Sequence, residues 1–364
     1  MTELAFVAVR RLCRRVLPLT LIGFLPLLSV AQTAEKSAPA AFAPLGVPAP
    51  GPAATVGAYA PQPVLPGGIV VPLYAPDSPR LNREKIKLAE KYTLTGGAPG
   101  RIQSIVSIHN PSIEVHTVDS RFNTGAAVIL VAGGGHNTLN VGTEAGDFVP
   151  WFYNYGVNTI ILRNRLRSDG YNVQKDAGSD ALQAIRVVRA HAKEWKIDPA
   201  KIGIMGFSAG AELAAWAAVF YDDYNKTPAD PSAPADPHAA VSARPDFVGL
   251  LYPGPTPFTR DAATKIPADV PPTFIASAGS GDRGHAIWAD QYFAAMIKIG
   301  APGLEMHIYG TGIHADGLKD RDGIPFGTWQ DRFTDWFRDL GFLGKPGVET
   351  KAAREVAAFE KKSR

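Results

Sequence analysis

The chain has 364 residues, of which 46% are hydrophobic and 20% are charged. This composition supports an ordinary globular core of one or two domains. The formal net charge is +3, but residues 1–31 carry the whole excess, and the rest of the sequence has 33 basic and 33 acidic side chains. A neutral domain is not attracted to nucleic acid or to an anionic membrane surface, so we expect neither as a partner.

Residues 1–31 have the organisation of a signal peptide. Four arginines precede an apolar stretch, and Ser29–Ala31 offers small residues for cleavage before Gln32. An uncleaved membrane anchor is the alternative, but the stretch is short and contains prolines. Cleavage would remove the only cysteine, Cys13, and with it any disulfide or thiolate metal site. We expect an exported, periplasmic or extracellular protein without stable membrane insertion, and the pair Arg10-Arg11 leaves Sec and twin-arginine export both open.

The rest of the chain divides into three parts. Residues 32–68 are rich in Ala and Pro with little charge, which predicts a disordered spacer. Residues 69–344 alternate between strand and helix patterns and predict one catalytic domain. Residues 345–364 are a charged tail that we expect to form a peripheral helix, and residues 222–237 read as an exposed insertion.

The alternation of strands and helices predicts an α/β domain with a mainly parallel central sheet and helices on both faces. The alternating pattern of residues 113–118 predicts a half-exposed strand. The other predicted strands are residues 126–131, 158–162, 201–207, 247–252, 273–278 and 305–309. The predicted helices are residues 144–155, 181–195, 209–220, 288–299 and 328–340.

The run Gly206-Phe207-Ser208-Ala209-Gly210 lies between a predicted strand and a predicted helix of small residues. A serine at such a turn adopts a strained backbone, needs small neighbours and projects its hydroxyl above the sheet. The alternative is a tight turn in which Ser208 merely caps the helix. The flanking strand and helix favour the first interpretation, which makes Ser208 the nucleophile of a serine hydrolase.

The run Gly133-Gly134-Gly135-His136 follows the buried strand 126–131. Glycines let backbone amides turn toward a ligand, as an oxyanion hole requires, although a glycine run can also be only a flexible turn. Together with the serine motif, this run predicts oxyanion donors at the amides of Gly134, Gly135 and Ala209. We expect His136 to line the pocket and not to be catalytic.

A serine nucleophile needs a base and an acid that orients it, and in this type of fold they follow in the order serine, acid, histidine. Asp282 follows strand 273–278 and is the predicted acid; His314 follows strand 305–309 and is the predicted base. Asp316 is the rival acid and His285 the rival base. No close group of His, Asp and Glu has metal-ligand spacing, so we expect no catalytic metal and no cofactor.

The glycine triplet, the residues 164–171, the helix pattern of residues 181–199 and the strand leading into the serine motif resemble bacterial α/β-hydrolases of the acetylxylan-esterase-like group. The resemblance covers about residues 69–340. It implies an α/β-hydrolase fold and an exported serine esterase that removes acetyl or other short acyl groups from carbohydrate through an acyl-enzyme. It also implies the triad Ser208, Asp282 and His314.

Two departures from the family pattern affect the edge of the pocket and therefore the choice of substrate. His136 stands where an aromatic residue is frequent, and Ala211-Glu212 replaces a glycine and a histidine. The short connection from Tyr252 to Pro272 argues against a large hydrophobic lid and favours a water-soluble ester.

Two other functions use the same fold. A serine peptidase of the prolyl-oligopeptidase type is the first alternative, but the short N-terminal part cannot form a propeller. A non-catalytic envelope module is the second, and it would be expected to lack the nucleophile, the acid or the base. The acyl group, the alcohol and the oligomeric state are left open.

Overall fold

The computed structural model describes residues 47–95, 100–226, 234–315 and 325–364. The strands of these residues are β1 (Ile69–Pro72), β2 (Lys91–Leu94), β3 (Ile102–Val106), β4 (Ser112–His116), β5 (Ala127–Val131), β6 (Asn158–Arg163), β7 (Ile202–Phe207), β8 (Val248–Leu251), β9 (Thr273–Ala278) and β10 (Glu305–Tyr309). The α-helices are α1 (Phe148–Tyr153), α2 (Gly178–Ala190), α3 (Ala209–Lys226), α4 (Pro257–Arg260), α5 (Arg283–Ile299), α6 (Trp329–Asp339) and α7 (Lys351–Ser363).

Eight of these strands form one sheet in the order β1-β4-β6-β5-β7-β8-β9-β10. Pairing is parallel from β6 through β10, whereas β4 is antiparallel to both β1 and β6. Strands β5 to β9 are buried along their whole length. Helices α2, α3 and α5 contribute to the core on one face, and α1 and α6 to the core on the other. The mainly parallel sheet with helices on both faces is therefore as predicted.

Strand β4 is buried on both faces, and the prediction that it is half exposed was wrong. Its polar residue Glu114 is fully buried. The carboxylate of Glu114 lies 2.8 Å from the guanidinium of Arg163 on β6, which also pairs with Glu90 at 3.0 Å. The alternating pattern of apolar and polar residues predicted that Glu114 is exposed to solvent. It cannot show that Arg163, far away in the sequence, pairs with this carboxylate inside the domain.

The predicted disordered spacer is also corrected where the structure describes it, over residues 47–68. Tyr59 and Val64 are buried, with exposed fractions of 2% and 4%. The amide of Tyr59 donates to the carbonyl of Ile86 at 2.7 Å, and the amide of Val64 donates to Glu114. This segment belongs to the domain. Residues 1–46, with the predicted signal peptide, lie outside the described residues.

Two further boundaries differ from the prediction. Helix α3 continues to Lys226, and Tyr224 within it is buried, so the first residues of the predicted exposed insertion pack against the core. The tail does form the predicted helix, α7, but Ala352 and Val356 in this helix are buried, so the domain continues past residue 344. In the described part of the chain, none of the helices combines the length and the apolar character that crossing a membrane requires.

Candidate active site

Ser208 occupies the turn between β7 and α3, at the carboxyl end of the parallel strands. Its φ is +52°, a left-handed conformation that a serine adopts only under constraint. Its amide donates to the carbonyl of Leu251 on β8 at 2.9 Å, which holds the turn to the sheet. A Cβ at Gly210 would overlap the carbonyl group of Val131, so α3 can approach β5 this closely only with glycine there.

The predicted base and acid lie beside this serine. Ser208 Oγ is 2.9 Å from His314 Nε2, and His314 Nδ1 is 2.6 Å from Asp282 Oδ2. Asp282 immediately precedes α5, and His314 lies in the loop after β10. With Nδ1–H donated to the carboxylate, the Nε2 lone pair faces the serine hydroxyl. The arrangement can therefore accept the serine proton and stabilise the imidazolium that forms.

The rival base, His285, contacts the other carboxylate oxygen of Asp282. Its Nδ1 lies 2.6 Å from Asp282 Oδ1, and its ring stacks on that of His314 with centroids 3.9 Å apart. Burial lowers the pKa of His285 below the ordinary histidine value. The rival acid, Asp316, lies outside the described residues.

The glycine run after β5 lies directly against the serine turn. A Cβ at Gly133 would come within 2.8 Å of Ser208 Cβ, and Gly134 and Gly135 have φ values of +125° and +62°. Gly135 and Ala209 line the same cavity as Ser208. Ala209 is the first residue of α3, where amide groups lack a partner within the helix. Two of the three predicted oxyanion donors, Gly135 and Ala209, thus border the same cavity as the nucleophile, and the catalytic role of all three stays a prediction.

Glu144 is a buried acid behind the site that sequence reasoning missed. One carboxylate oxygen accepts the amide of Gly133 at 2.7 Å, and the other accepts the hydroxyl of Tyr252 at 3.0 Å. The Tyr252 ring stands edge-on to His314, with centroids 5.0 Å apart. Burial raises the pKa of Glu144 above its ordinary value. Glu144 lies at the start of a predicted helix, and nothing in the sequence there shows whether an acidic side chain is buried or exposed to solvent.

A cavity of about 650 Å³ opens over Ser208 and has several polar residues in its wall. His136 Nε2 is 3.4 Å from Glu212 Oε2. The two positions at which the sequence departs from the family pattern are therefore in contact. Glu212 is also ion-paired with Arg260, from the short connection that follows β8. Arg167, also in the cavity wall, donates to the carbonyl of Gly135 at 2.9 Å. This wall can hydrogen-bond a polar substrate.

The chain is similar in sequence to a family model and to two curated proteins, one of them an acetylxylan esterase. The BD-FAE family model matches residues 114–250. An acetylxylan esterase of Xylanibacter ruminicola is 26% identical over 282 residues, covering 70% of this chain and 50% of that protein. Endo-1,4-beta-xylanase B of Butyrivibrio fibrisolvens is 31% identical over 127 residues, covering 35% of this chain and 19% of that protein. The chain therefore spans half or less of the length of these curated relatives.

Solved structures agree with the fold. An acetyl ester-xyloside bifunctional hydrolase from Caldicellulosiruptor lactoaceticus has a TM-score of 0.59 at 25% identity, covering 78% of this chain and all of that one. Thermogutta terrifontis esterase 2 has a TM-score of 0.54 at 20% identity, covering 78% and 98% of the two chains. The predicted α/β-hydrolase fold is confirmed, as is the resemblance to the acetylxylan-esterase-like group.

Proposed function

We propose that this α/β-hydrolase of the acetylxylan-esterase-like group is a serine carboxylic-ester hydrolase that removes short acyl groups, acetyl foremost, from carbohydrate. The observation that carries the proposal is the continuous contact from Ser208 Oγ to His314 to Asp282 at 2.9 and 2.6 Å. It lies at a cavity that the glycine run also borders.

The reaction is a two-step acyl transfer. His314 takes the proton of Ser208 as its oxygen attacks the ester carbonyl, and Asp282 stabilises the imidazolium. The amides of Gly134, Gly135 and Ala209 receive the negative charge of the tetrahedral oxygen. His314 returns the proton to the departing alcohol, and a water molecule then releases the acid by the same route.

The substrate class is inferred from the cavity wall and from the relatives. His136, Glu212 and Arg260 offer donors and acceptors next to the serine, which suits the hydroxyl groups of a sugar. The segment after β8 contains only the four-residue helix α4, so a large apolar lid is missing from this described segment. Acetylated xylan is a natural first substrate because the relatives named above include an acetylxylan esterase.

Export completes the proposal. The arginines and the apolar stretch of residues 1–31 support a signal peptide, and hence a periplasmic or extracellular enzyme. The reaction as proposed needs no cofactor or metal, and the neutral charge of the remaining chain gives no reason for nucleic acid as a partner.

The experiment compares the wild type with Ser208→Ala on an aryl acetate and on acetylated xylo-oligosaccharides. We expect kcat to fall by roughly 10³-fold or more, since the nucleophile is removed. Ser120→Ala is the control, because that serine lies exposed in the loop between β4 and β5, at the opposite end of the sheet from Ser208, and it should keep wild-type activity. Unchanged hydrolysis by Ser208→Ala would refute the mechanism, and a preference for emulsified long-chain esters would refute the substrate class.

A further inference from the structure

His285 is a histidine that the proposed mechanism does not use. It lies in the first turn of α5, and its Nδ1 is 2.6 Å from Asp282 Oδ1. The other oxygen of the same carboxylate is 2.6 Å from His314 Nδ1. One carboxylate therefore holds two stacked imidazoles, although a base needs only one acid to orient it.

These three side chains provide the donor set of a transition-metal site. One donor atom from each lies within 4.8 Å of the other two. A tetrahedral Zn²⁺ has ligands at about 2.0–2.2 Å, which places its donor atoms about 3.3 Å apart. His285 borders the open cavity and the side chain of His314 is 35% exposed, so neither ring is enclosed and the donor atoms can move toward that spacing.

The ligand types select among metal ions. Imidazole nitrogen is a ligand for zinc and its transition-metal neighbours, whereas Mg²⁺ and Ca²⁺ are bound mainly by oxygen. Two histidines and one carboxylate also form a common three-ligand zinc set, which leaves a fourth position for water. The cavity beside His285 has room for that water molecule.

We propose that Asp282, His285 and His314 form an inhibitory site for a divalent transition-metal ion, best fitted to Zn²⁺. The ion replaces the two N–H···O hydrogen bonds to the carboxylate. Each neutral imidazole coordinates through Nδ1 and carries its proton on Nε2 instead, so no proton has to leave the site. His314 Nε2 then holds a hydrogen and cannot accept the proton of Ser208, and ester hydrolysis stops until the metal dissociates.

The activity test compares Zn²⁺ inhibition of the wild type and of His285→Asn after treatment with a chelator. Asparagine keeps an N–H donor toward Asp282 but is a poor zinc ligand. We expect micromolar Zn²⁺ to inhibit the wild type on an aryl acetate, with full recovery in EDTA, and millimolar Mg²⁺ to have no effect. The inhibiting Zn²⁺ concentration should rise by roughly tenfold or more in His285→Asn.

His307→Gln is the control, because His307 contacts Glu305 at 2.7 Å in a more exposed pair of a histidine and a carboxylate. It should be inhibited like the wild type. Equal Zn²⁺ inhibition of the wild type and His285→Asn would overturn the proposal. His285→Gln is a second variant to use if the asparagine variant does not fold.

A binding test separates this site from the proposed function. Zn²⁺ affinity is measured on Ser208→Ala by competition with a chromophoric chelator, with and without the added His285→Asn change. One-to-one binding that weakens with His285→Asn supports the site even if the wild type hydrolyses no ester. An active wild type whose Ser208→Ala form shows no His285-dependent zinc binding would overturn the site and leave the proposed function intact.

Discussion

Glu144 connects the glycine run with the surroundings of the histidine base. It is 1% exposed and accepts hydrogen bonds from Gly133 and from Tyr252, whose ring contacts His314. Tyr252 has a φ of +38°, so its backbone is also constrained at this point. A single buried carboxyl group thus fixes two segments that must keep their positions relative to Ser208.

We therefore expect Glu144→Ala to lower kcat by roughly 10- to 100-fold with a smaller change in KM, because a displaced glycine run misplaces the oxyanion donors. Glu144→Gln should stay within a few-fold of wild type. Its carbonyl can accept the amide of Gly133, and its amide can donate to the Tyr252 hydroxyl, which rotates to accept. Steady-state kinetics on an aryl acetate measure both, and an alanine variant with wild-type kcat would contradict the role.

The same residue predicts a pH dependence of stability. Burial raises the pKa of Glu144, so the unfolded chain loses this proton at a lower pH than the folded chain does. At pH values above the ordinary glutamate pKa, Glu144 therefore binds its proton more often in the native state than in the unfolded state. The free energy of unfolding then falls as the pH rises toward and through the pKa of the folded state. Urea unfolding at pH 4, 5.5 and 7 should show the wild type losing stability relative to Glu144→Gln as the pH rises. A difference that stays constant across this range would count against a raised pKa.

The residues of the candidate site could be predicted to different extents. Ser208, Asp282 and His314 were selected from the sequence because each lies in the turn or loop that follows a predicted strand, and the ends of parallel strands meet at one edge of the sheet. The second histidine on Asp282 and the buried Glu144 depend on contacts made only in the folded chain. The catalytic roles of Ser208, Asp282 and His314, like those of the glycine amides, stay predictions.

At the scale of elements, helix α3 approaches the sheet closely beside Ser208. Gly210 is the second residue of α3, and a Cβ there would overlap the carbonyl group of Val131, the last residue of β5. Gly284 is the second residue of α5, and a Cβ there would meet nothing within 4 Å. The two glycines therefore form a matched pair at the same position of two helices.

We expect Gly210→Ala to destabilise the protein by roughly 1–3 kcal/mol, since α3 must move away from β5. Gly284→Ala should be neutral or stabilising by up to about 1 kcal/mol, because alanine costs less conformational entropy in a helix. Chemical unfolding of both variants measures the difference. Equal stabilities would mean that α3 has more room than its packing indicates.

Among the elements, the parallel strands were the most predictable. The bounds of β9 and β10 are those expected, and β5 to β7 differ by one residue at an end. Short strands β1, β2 and β3 were not predicted, because their exposed or mixed residues carry no clear periodicity. The exposure of β4 was predicted wrongly since Glu114 is buried by an ion pair that local alternation cannot report.

At the scale of the whole molecule, the same ion pair explains why the domain begins before residue 69. Glu114 accepts the amides of Val64 and Leu65 besides pairing with Arg163. The N-terminal segment thereby supplies hydrogen bonds that a buried carboxylate requires. The proline and alanine content of this segment predicted disorder. Composition alone cannot show that the folded domain provides a hydrogen-bond acceptor, Glu114, for the amides of the segment.

The segment offers its own test in the full chain. Val64 is 4% exposed and packs in the core, whereas Val56, eight residues earlier, is 87% exposed. If residues 47–68 are an integral part of the domain, Val64→Ala should lower the free energy of unfolding by roughly 1–3 kcal/mol, and Val56→Ala should change it by less than about 0.5 kcal/mol. Chemical unfolding of the two variants measures this directly. Two variants of wild-type stability would instead mean that the segment detaches without cost, and that the stable domain starts at β1 as its composition had indicated.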